Sequence, residues 1–394
     1  MENSSQKHIV FFSSWYPTKF NPVLGIFVQR HAYAASLHHR VTVFHACADD
    51  SMLEGEFRIE RNTDANLTEV ILYFGRKNSG PALFRMLKQK RRLEKYYRFG
   101  MEKVEQWYGK PDLLHLHIIW PLGAIAARSA RKWKIPLLIS EHWTGYFAED
   151  GRYKGILMKR LTRNTIRRAK GLCVLNKRQE EILKQHELAT TFYCIPNVVD
   201  TSMFYPGEDP EDERIRMICV AALDDQQKNI SGLLRDFRNI RRKHPQVELT
   251  IVGSGEDESS LKLKSNELGL TQRGVTFTGA LKPEEIADKM RHSTVLVLNS
   301  RFENQPVVIL EALCSGLSVI STDVGGISEI VNDANGILYN VKDDNGLEEA
   351  FERWLKEHDK FKRKTIAADA ASKFSIEAVT ASLKSVYAQL TGSC

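Results

Sequence analysis

Two glutamates eight positions apart, Glu303 and Glu311, are the residues of this sequence best placed to do chemistry. The apolar run 294–298 precedes them and is typical of a buried parallel strand. Pro306 suits the first position of the following helix, because its φ is already helical and its missing N–H costs nothing there. The stretch therefore predicts a strand, a polar loop and a helix that ends at Gly316.

The start of this helix is a predicted phosphate site. The N–H groups of Val307 and Val308 have no acceptor within the helix and lie at its positive end. Glu311 lies one turn further on the same face, and Glu303 lies at the carboxyl end of the strand, where open α/β sheets bind ligands. A phosphate flanked by two carboxylates that accept hydrogen bonds from hydroxyl groups suits a nucleotide-sugar. The alternative is a buried helix with an incidental glutamate, although a buried carboxylate needs a donor.

Length and composition describe a globular protein with room for two domains. The chain has 394 residues, 42% of them hydrophobic and 27% charged. Its six cysteines form no C-x-x-C pair, which favours reduced core thiols over disulfides or zinc. The polar first residues and the lack of a long apolar run predict neither a signal peptide nor a transmembrane helix. We therefore expect a cytoplasmic protein.

The charge is divided unevenly. Residues 1–200 hold 32 Lys and Arg against 19 Asp and Glu, whereas residues 201–394 hold 24 against 30. Segments 85–98 and 151–170 are especially basic and read as amphipathic helices, which can rest on anionic lipid headgroups. Solvated helix faces are the alternative. We expect contact with the inner face of a membrane and no nucleic-acid partner, because stacking aromatics are not interleaved; an RNA-binding role stays open to a salt-dependent binding assay.

The first half opens with a βα unit. Residues 8–13 predict a strand, and a helix follows from Ile26 to about Leu37. The loop between them is not G-x-G-x-x-G, but Gly25 would let a backbone amide approach a phosphate; a plain turn glycine is equally consistent.

Three histidines of the first half lie in or near strands. His115 and His117 share one face of the predicted strand 113–119. They could ligate a metal, but no third ligand is near, so we expect a polar lining at the strand end and no metal. His142 follows strand 136–140 and lies where site residues gather.

The second half restarts the βα alternation. Lys228, after the strand 217–221, would be a free-standing cation suited to a pyrophosphate, with a surface lysine as the alternative. Gly253 in Gly-Ser-Gly is a weak phosphate-loop signal. We expect a first Rossmann-like domain over 1–200 that binds the acceptor and a second over 201–374 that binds the nucleotide-sugar. A helix in 375–394 should pack back on the first domain.

These motifs together resemble glycosyltransferase family 4, whose members have the GT-B architecture of two Rossmann-like α/β domains that face a central cleft. The most specific part is Glu303-x7-Glu311 with Gly316, followed by Gly325-Gly326-x-x-Glu329. Supporting motifs are Trp15-Tyr-Pro with Gly25-x-Phe27-Val28, Pro196-Asn197-x-Val199-Asp200, Lys228-Asn229, Gly253-x-Gly255 and Phe277-x-Gly279. The resemblance covers nearly the whole chain.

The resemblance implies roles residue by residue. Glu303 is similar to the acid that holds donor-sugar hydroxyls, and Glu311 to the acid that binds ribose. Lys228 is similar to the lysine on the diphosphate, and Gly25 to the glycine of the first-domain phosphate loop. His142 resembles the histidine at the transferred sugar.

The resemblance also implies that Leu281 lies near the base. It further implies a retaining hexosyltransferase without metal or cofactor, in which helix amides and the lysine neutralise the diphosphate.

Two positions depart from the family pattern. Many relatives have an arginine before the lysine loop, where this chain has Ala222; Arg301 could supply that charge instead. Pro306 replaces a glycine often found three residues after the first glutamate.

The sequence thus predicts a glycosyltransferase of surface-polysaccharide synthesis. It would move a sugar from a nucleotide-diphosphate-sugar to a saccharide or lipid-linked acceptor. An epimerase of the same architecture and a non-catalytic nucleotide-sugar-binding regulator are the alternatives.

Overall fold

The computed structural model of the protein describes residues 6–76, 82–208, 214–270, 274–343 and 345–392, with the backbone alone at 82–87 and 90. The predicted basic side chains Arg85 and Lys90, residues 209–213 and Cys394 lie outside the described part.

The first lobe is built on an eight-stranded sheet with the order β3-β4-β2-β1-β5-β6-β7-β8. Among the described strands of this sheet, only the β3–β4 pairing is antiparallel. Its strands are β1 (His8–Ser13), β2 (Arg40–Ala48), β3 (Phe57–Asp64), β4 (Leu67–Phe74), β5 (Leu113–His117), β6 (Leu137–Ser140), β7 (Gly171–Val174) and β8 (Phe192–Cys194). Its helices are α1 (Ile26–Ser36), α2 (Ala82–Tyr108), α3 (Gly123–Trp133), α4 (Ile156–Ile166) and α5 (Lys177–Gln185).

The second lobe has a six-stranded parallel sheet with the order β11-β10-β9-β12-β13-β14. Its strands are β9 (Ile215–Val220), β10 (Val247–Val252), β11 (Val275–Gly279), β12 (Val295–Leu298), β13 (Ser318–Thr322) and β14 (Gly336–Tyr339). Its helices are α6 (Asp225–Lys228), α7 (Ile230–Lys243), α8 (Glu258–Glu267), α9 (Pro283–Arg291), α10 (Val307–Cys314), α11 (Gly346–Glu357) and α12 (Arg363–Phe374). The predicted two-lobed α/β architecture is confirmed.

The chain returns to the first lobe through α13 (Ile376–Thr391). Ser375 begins this helix by accepting a hydrogen bond from the Ala378 N–H, and Val379 and Leu383 are buried against α1. Thr380 Oγ1 donates to the Ala34 carbonyl at 3.0 Å. The apolar face predicted for the last helix thus packs where the sequence placed it.

Two local predictions differ from the structure. The β3–β4 hairpin was not predicted, because seven of the eight β3 residues are exposed and give no apolar run. The prediction that Pro306 is the first helical residue is wrong by one position. With ψ of 115° it is the extended residue before α10, and the helix begins at Val307.

Candidate functional site

Glu303 and Lys228 form a buried ion pair at the carboxyl edge of the second sheet. Glu303 follows β12, and its Oε1 lies 2.5 Å from the Nζ of Lys228 at the end of α6. Ser300 Oγ donates to the same oxygen at 2.7 Å. Lys228 is therefore not the free-standing cation that the sequence suggested. Instead, the second lobe holds a positive and a negative group in contact, and Glu303 belongs to the loop that precedes α10.

The start of α10 has the geometry of an anion site. The first hydrogen bond of the helix runs from Ile309 N–H to the Pro306 carbonyl, at 3.0 Å. The N–H groups of Val307 and Val308 precede that bond, at the positive helix end. Because α10 is largely buried, its amide dipoles lie in a poorly solvated environment where they act strongly on a charge.

Glu311, one turn into α10, has its donor in the opposite lobe. Arg30 of α1 places Nη1 2.8 Å from Oε1 of Glu311, and both side chains are largely buried. Burial raises the pKa of Glu311, and the Arg30 charge and hydrogen bond lower it. The sequence predicted that Glu311 needs a partner but could not name Arg30, which lies 281 positions away.

His142 lies in a group of closely packed rings in the first lobe. Its ring centroid is 5.5 Å from His117, 5.6 Å from His31 and 4.5 Å from Phe27. Its Nε2 is 3.2 Å from Nδ1 of His117, while its buried Nδ1 has no hydrogen-bond partner in the described part of the chain. Burial lowers the pKa of His142 well below 6.5, so its imidazole is neutral at pH 7.

His115 and His117 lie side by side, with ring centroids 4.3 Å apart. His115 bonds Ser140 Oγ at 2.8 Å and the Tyr387 hydroxyl of α13 at 2.9 Å. Among the described residues no group of three or more His, Cys, Asp or Glu is placed to hold a metal ion.

Glu141 is a buried carboxylate whose site role the sequence did not reveal. Its carboxylate accepts four hydrogen bonds of 2.9–3.1 Å, from the N–H groups of Ile119, His142 and Trp143 and from the Tyr146 hydroxyl. Burial raises its pKa, while these hydrogen bonds lower it. Glu141 therefore fixes the loop on which His142 stands.

Two predicted glycines stand where the backbone leaves no room for a side chain. Gly25 precedes α1 with φ +75°, and a Cβ there would lie 2.4 Å from the Trp15 carbonyl. Gly253 has φ +136°, and a Cβ would lie 1.9 Å from the Ala221 carbonyl oxygen. Both let a loop pass close to the neighbouring strand end. Whether either meets a phosphate stays a prediction.

Arg301 is already engaged by the loop that contains Lys228. Its guanidinium donates to the carbonyls of Asp225 and Gln226 and to Asn229 Oδ1. Arg301 thus holds α6 and Asn229 in place, and whether it also meets a phosphate stays a prediction. Leu281 is half-buried beyond the end of β11, against the second-lobe core.

Residues that follow Glu303 connect the two lobes. Asn176 Nδ2 donates to the carbonyl and Oδ1 of Asn304, both at 3.1 Å. Gln305 Nε2 donates to the Leu175 carbonyl at 2.9 Å and its Oε1 accepts from Asn197 N at 2.7 Å. The loop that presents Glu303 is therefore fixed by first-lobe contacts, which sequence spacing did not predict.

A further contact between the lobes joins Glu329 to the start of α5. Its carboxylate accepts the N–H groups of Lys177 at 2.9 Å and Arg178 at 2.7 Å. A carboxylate at a helix N-terminus satisfies free amides and the helix dipole together. The lobes thus meet in a closed arrangement around the Glu303 loop.

Two family descriptions match the chain in succession. The model described as Glycosyltransferase Family 4 matches residues 30–203, and the one described as Glycosyl transferases group 1 matches residues 206–372. The chain belongs to glycosyltransferase family 4, and its two lobes are those of the GT-B architecture.

Curated relatives share parts of the sequence. A putative teichuronic acid biosynthesis glycosyltransferase of Bacillus subtilis is 28% identical over 66% of this chain and 64% of its own. An alpha-monoglucosyldiacylglycerol synthase of Streptococcus pneumoniae is 23% identical over 53% of this chain and 51% of its own. The chain thus spans about half to two thirds of the length of these relatives.

Solved structures match the fold along its whole length. Sucrose-phosphate synthase from Thermosynechococcus elongatus has a TM-score of 0.75 at 19% identity and covers 99% of this chain and 100% of its own. An Anabaena protein solved with UDP has a TM-score of 0.71 at 16% identity and covers 98% and 100%. At such identities the likeness concerns the fold.

Proposed function

We propose that the protein is a retaining glycosyltransferase of the hexosyltransferase type. It moves a sugar from a nucleotide-diphosphate-sugar to a saccharide or lipid-linked acceptor during surface-polysaccharide synthesis. The observation that carries the proposal is the grouping of the α10 start, the Lys228–Glu303 pair and Glu311 at one edge of the second sheet.

In this proposal each group has one task at the donor. The amides of Val307 and Val308 and the ammonium of Lys228 stabilise the charge that develops on the leaving diphosphate. Glu311 accepts ribose hydroxyls, and Glu303 accepts hydroxyls of the sugar. Lys228 and these amides neutralise the diphosphate, so no metal or cofactor is included.

On the other side of the cleft, the neutral His142 offers its unpartnered Nδ1 to the sugar. The acceptor hydroxyl oxygen forms a bond to the anomeric carbon while the bond to the diphosphate oxygen breaks. The hydroxyl proton passes to the departing phosphate on the same face, which gives retention. Gly25, Gly253 and Leu281 line the donor in this account.

The proposal places the protein in the cytoplasm, on the inner face of a membrane. The cations of α4 support this part, since Lys159, Arg160 and Arg167 are all exposed. The relatives named for a glucosyldiacylglycerol and for teichuronic acid support an acceptor of lipid or saccharide type. No helix in the described ranges combines the length and apolar character needed to cross a bilayer.

A thermal-shift screen with UDP-, GDP- and ADP-sugars tests the donor site. We expect one nucleotide class to raise the melting temperature in EDTA, because a ligand that binds only the folded state stabilises it. Lys228→Ala and Glu311→Ala should each remove most of that shift, whereas Lys262→Ala, on the surface of α8, should keep it.

The product identifies the reaction. With an acceptor present, release of free nucleoside diphosphate and an unchanged anomeric configuration by NMR would support a retaining transferase. An epimerised nucleotide-sugar without release would contradict the proposal, and so would binding without turnover for every donor and acceptor pair.

A further inference from the structure

Two adjacent cavities lie in the first lobe, beyond the donor groups. The first, which we call the head cavity, has a volume of about 320 Å³ and lies at the carboxyl ends of β1, β2 and β4. The second, the apolar groove, has a volume of about 440 Å³ and lies between α2, α3 and α4. Gln89, Leu93 and Pro121 line both, so the two cavities are adjacent, and we call the pair the channel.

The head cavity is suited to an anion. Arg76, Lys88 and Arg92 line it, and no Asp or Glu of the described chain does so. Arg76 and Arg92 are each held in place by an acid outside the cavity, Asp50 at 2.8 Å and Glu54 at 2.7 Å. Arginine held in this way offers its remaining N–H groups in a fixed fork, which matches phosphate.

Two ring contacts link the head cavity to His142, which is proposed to hold the sugar. Trp15 lines the cavity and packs edge-on against Phe27, with centroids 6.3 Å apart. Phe27 in turn packs on His142 at 4.5 Å. A molecule in the head cavity is thus separated from His142 by two aromatic rings, on the lobe opposite the donor groups.

The groove is lined mainly by apolar side chains, with Glu94, which pairs with Arg128, as its one acid among the described residues, and it opens onto an apolar surface. Leu93, Ile125 and Leu161 line it, together with Trp120 and Leu157 at its edge. Leu157 is 62% exposed and its neighbour Ile156 is 87% exposed. A single exposed apolar side chain is common, but these two are neighbours at the mouth of an apolar groove, and a contiguous apolar patch marks an interaction site.

Cations surround that apolar opening. Segment 151–170 holds eight Lys and Arg and no acid, and Lys154, Lys159 and Arg160 beside Ile156 are exposed. Apolar side chains inside a cationic rim match the boundary between acyl chains and anionic headgroups of a bilayer. An amphipathic helix of a partner protein would fill the groove but leave the head cavity unexplained. A water-soluble phosphosugar would do the reverse.

We propose that the channel binds a membrane lipid with an anionic, phosphate-bearing head as the acceptor. Its hydrocarbon chain lies in the groove between α2, α3 and α4, and its phosphate lies against Arg76, Lys88 and Arg92. The inference rests on the proposed transferase function and specifies the acceptor for that reaction. The apolar opening at Ile156 and Leu157 is where the chain leaves the bilayer.

Calorimetry on the full chain tests the channel with dodecyl phosphate, below its micelle-forming concentration, and with butyl phosphate. Each buried methylene is worth about fourfold in affinity. With half of the eight additional methylenes buried, dodecyl phosphate should bind more than about 100-fold tighter. Ala124→Trp, in the groove wall, should remove most of that ratio and leave butyl phosphate binding unchanged. Arg76→Ala with Lys88→Ala should weaken both ligands at least about tenfold.

Vesicle sedimentation tests the opening, with phosphatidylglycerol and phosphatidylcholine vesicles. Ile156→Asp with Leu157→Asp should reduce binding to the anionic vesicles at least about fivefold. Leu263→Asp is the matched control, because Leu263 is equally open, at 59%, on the other lobe; it should not change binding.

Equal binding of the two phosphates would overturn the inference, as would an unchanged ratio in Ala124→Trp or equal losses in the Leu263 control. The thermal shift with nucleotide-sugars separates this outcome from failure of the transferase proposal. If nucleotide-sugars still raise the melting temperature while dodecyl phosphate binds no tighter than butyl phosphate, only the proposal of a lipid acceptor is wrong.

Discussion

The two lobes differ in the sign of their net charge and in how they hold their charged groups. Residues 1–200 carry a net charge of +13, bury seven histidines, and expose cations and apolar side chains together. Residues 201–394 carry a net charge of −6 and hold their site cation in a buried pair, Lys228 with Glu303.

The difference shows how one fold can treat two substrates. In the proposed reaction the second lobe would hold the diphosphate, whereas the neutral histidine rings of the first lobe would face the sugar and its surface cations the membrane. The Arg30–Glu311 ion pair and the hydrogen bond from the Lys177 N–H to Glu329 join the two lobes.

A lower pH should change the stability of the two lobes most differently, because the buried histidines lie in the first lobe. Burial lowers the pKa values of His115, His117 and His142 well below 6.5. These rings stay neutral in the folded lobe but gain protons in the unfolded chain as the pH falls through 6.5. Each should therefore remove about 1.4 kcal/mol of stability per pH unit below 6.5.

Hydrogen exchange at pH 7.5, 6 and 5 would measure this for each lobe. We expect protection of β5 and β6 to fall several kcal/mol more than that of β9 and β12. Equal loss in both lobes would contradict the account.

Glu303→Gln should separate donor binding from turnover. Glutamine keeps the shape but leaves Lys228 without its counter-charge, so turnover should fall about 100- to 1,000-fold while nucleotide binding persists. Steady-state kinetics with the stabilising donor would measure it. Glu348→Gln is the matched control, since Glu348 pairs with Lys243 at 2.6 Å on α11; its turnover should stay normal, and an equal loss there would point to destabilisation of the lobe.

Arg30→Gln should shift the pH dependence of donor binding, because Arg30 of the first lobe pairs with Glu311 of the second. Without Arg30 the pKa of Glu311, already raised by burial, should rise further, because the charge and hydrogen bond of Arg30 lower it. Donor binding that needs the ionised acid should then fail at a higher pH. Calorimetry from pH 5 to 8 would show the acidic limb shifted upward in Arg30→Gln and little changed in Arg30→Lys. Superimposed profiles for all three proteins would exclude this role.

The smallest effect should come from Glu329→Gln. The variant weakens a charge at the α5 start worth about 0.3–1 kcal/mol, so donor affinity should fall about two- to fivefold. Small-angle scattering should show a slightly larger radius of gyration. Glu180→Gln, within α5 itself, is the control; the same change in both would mean that the contact does not hold the lobes.

The sequence predicted what is encoded locally. β1, β12, α10 and α13 follow from apolar runs and helix-end residues, and Glu303 and Glu311 stand where their spacing placed them. The exposed strand β3 gave no such pattern.

The partners of the site residues could not be predicted in the same way. Arg30 lies 281 positions from Glu311, and Asn176 lies 128 from Asn304. Local periodicity carries no information on such pairs, because they form only when the lobes meet. The acceptors of Arg301 could not be predicted either, because they lie 72 to 76 positions away, in α6 and at Asn229.

A crystal structure with the stabilising nucleoside diphosphate bound, in EDTA, tests the central claim most directly. The account predicts phosphate oxygens within about 3.2 Å of the Val307 or Val308 N–H and of Lys228 Nζ, with ribose at Glu311. A diphosphate bound away from the α10 start, or held by a different set of cations, would contradict it.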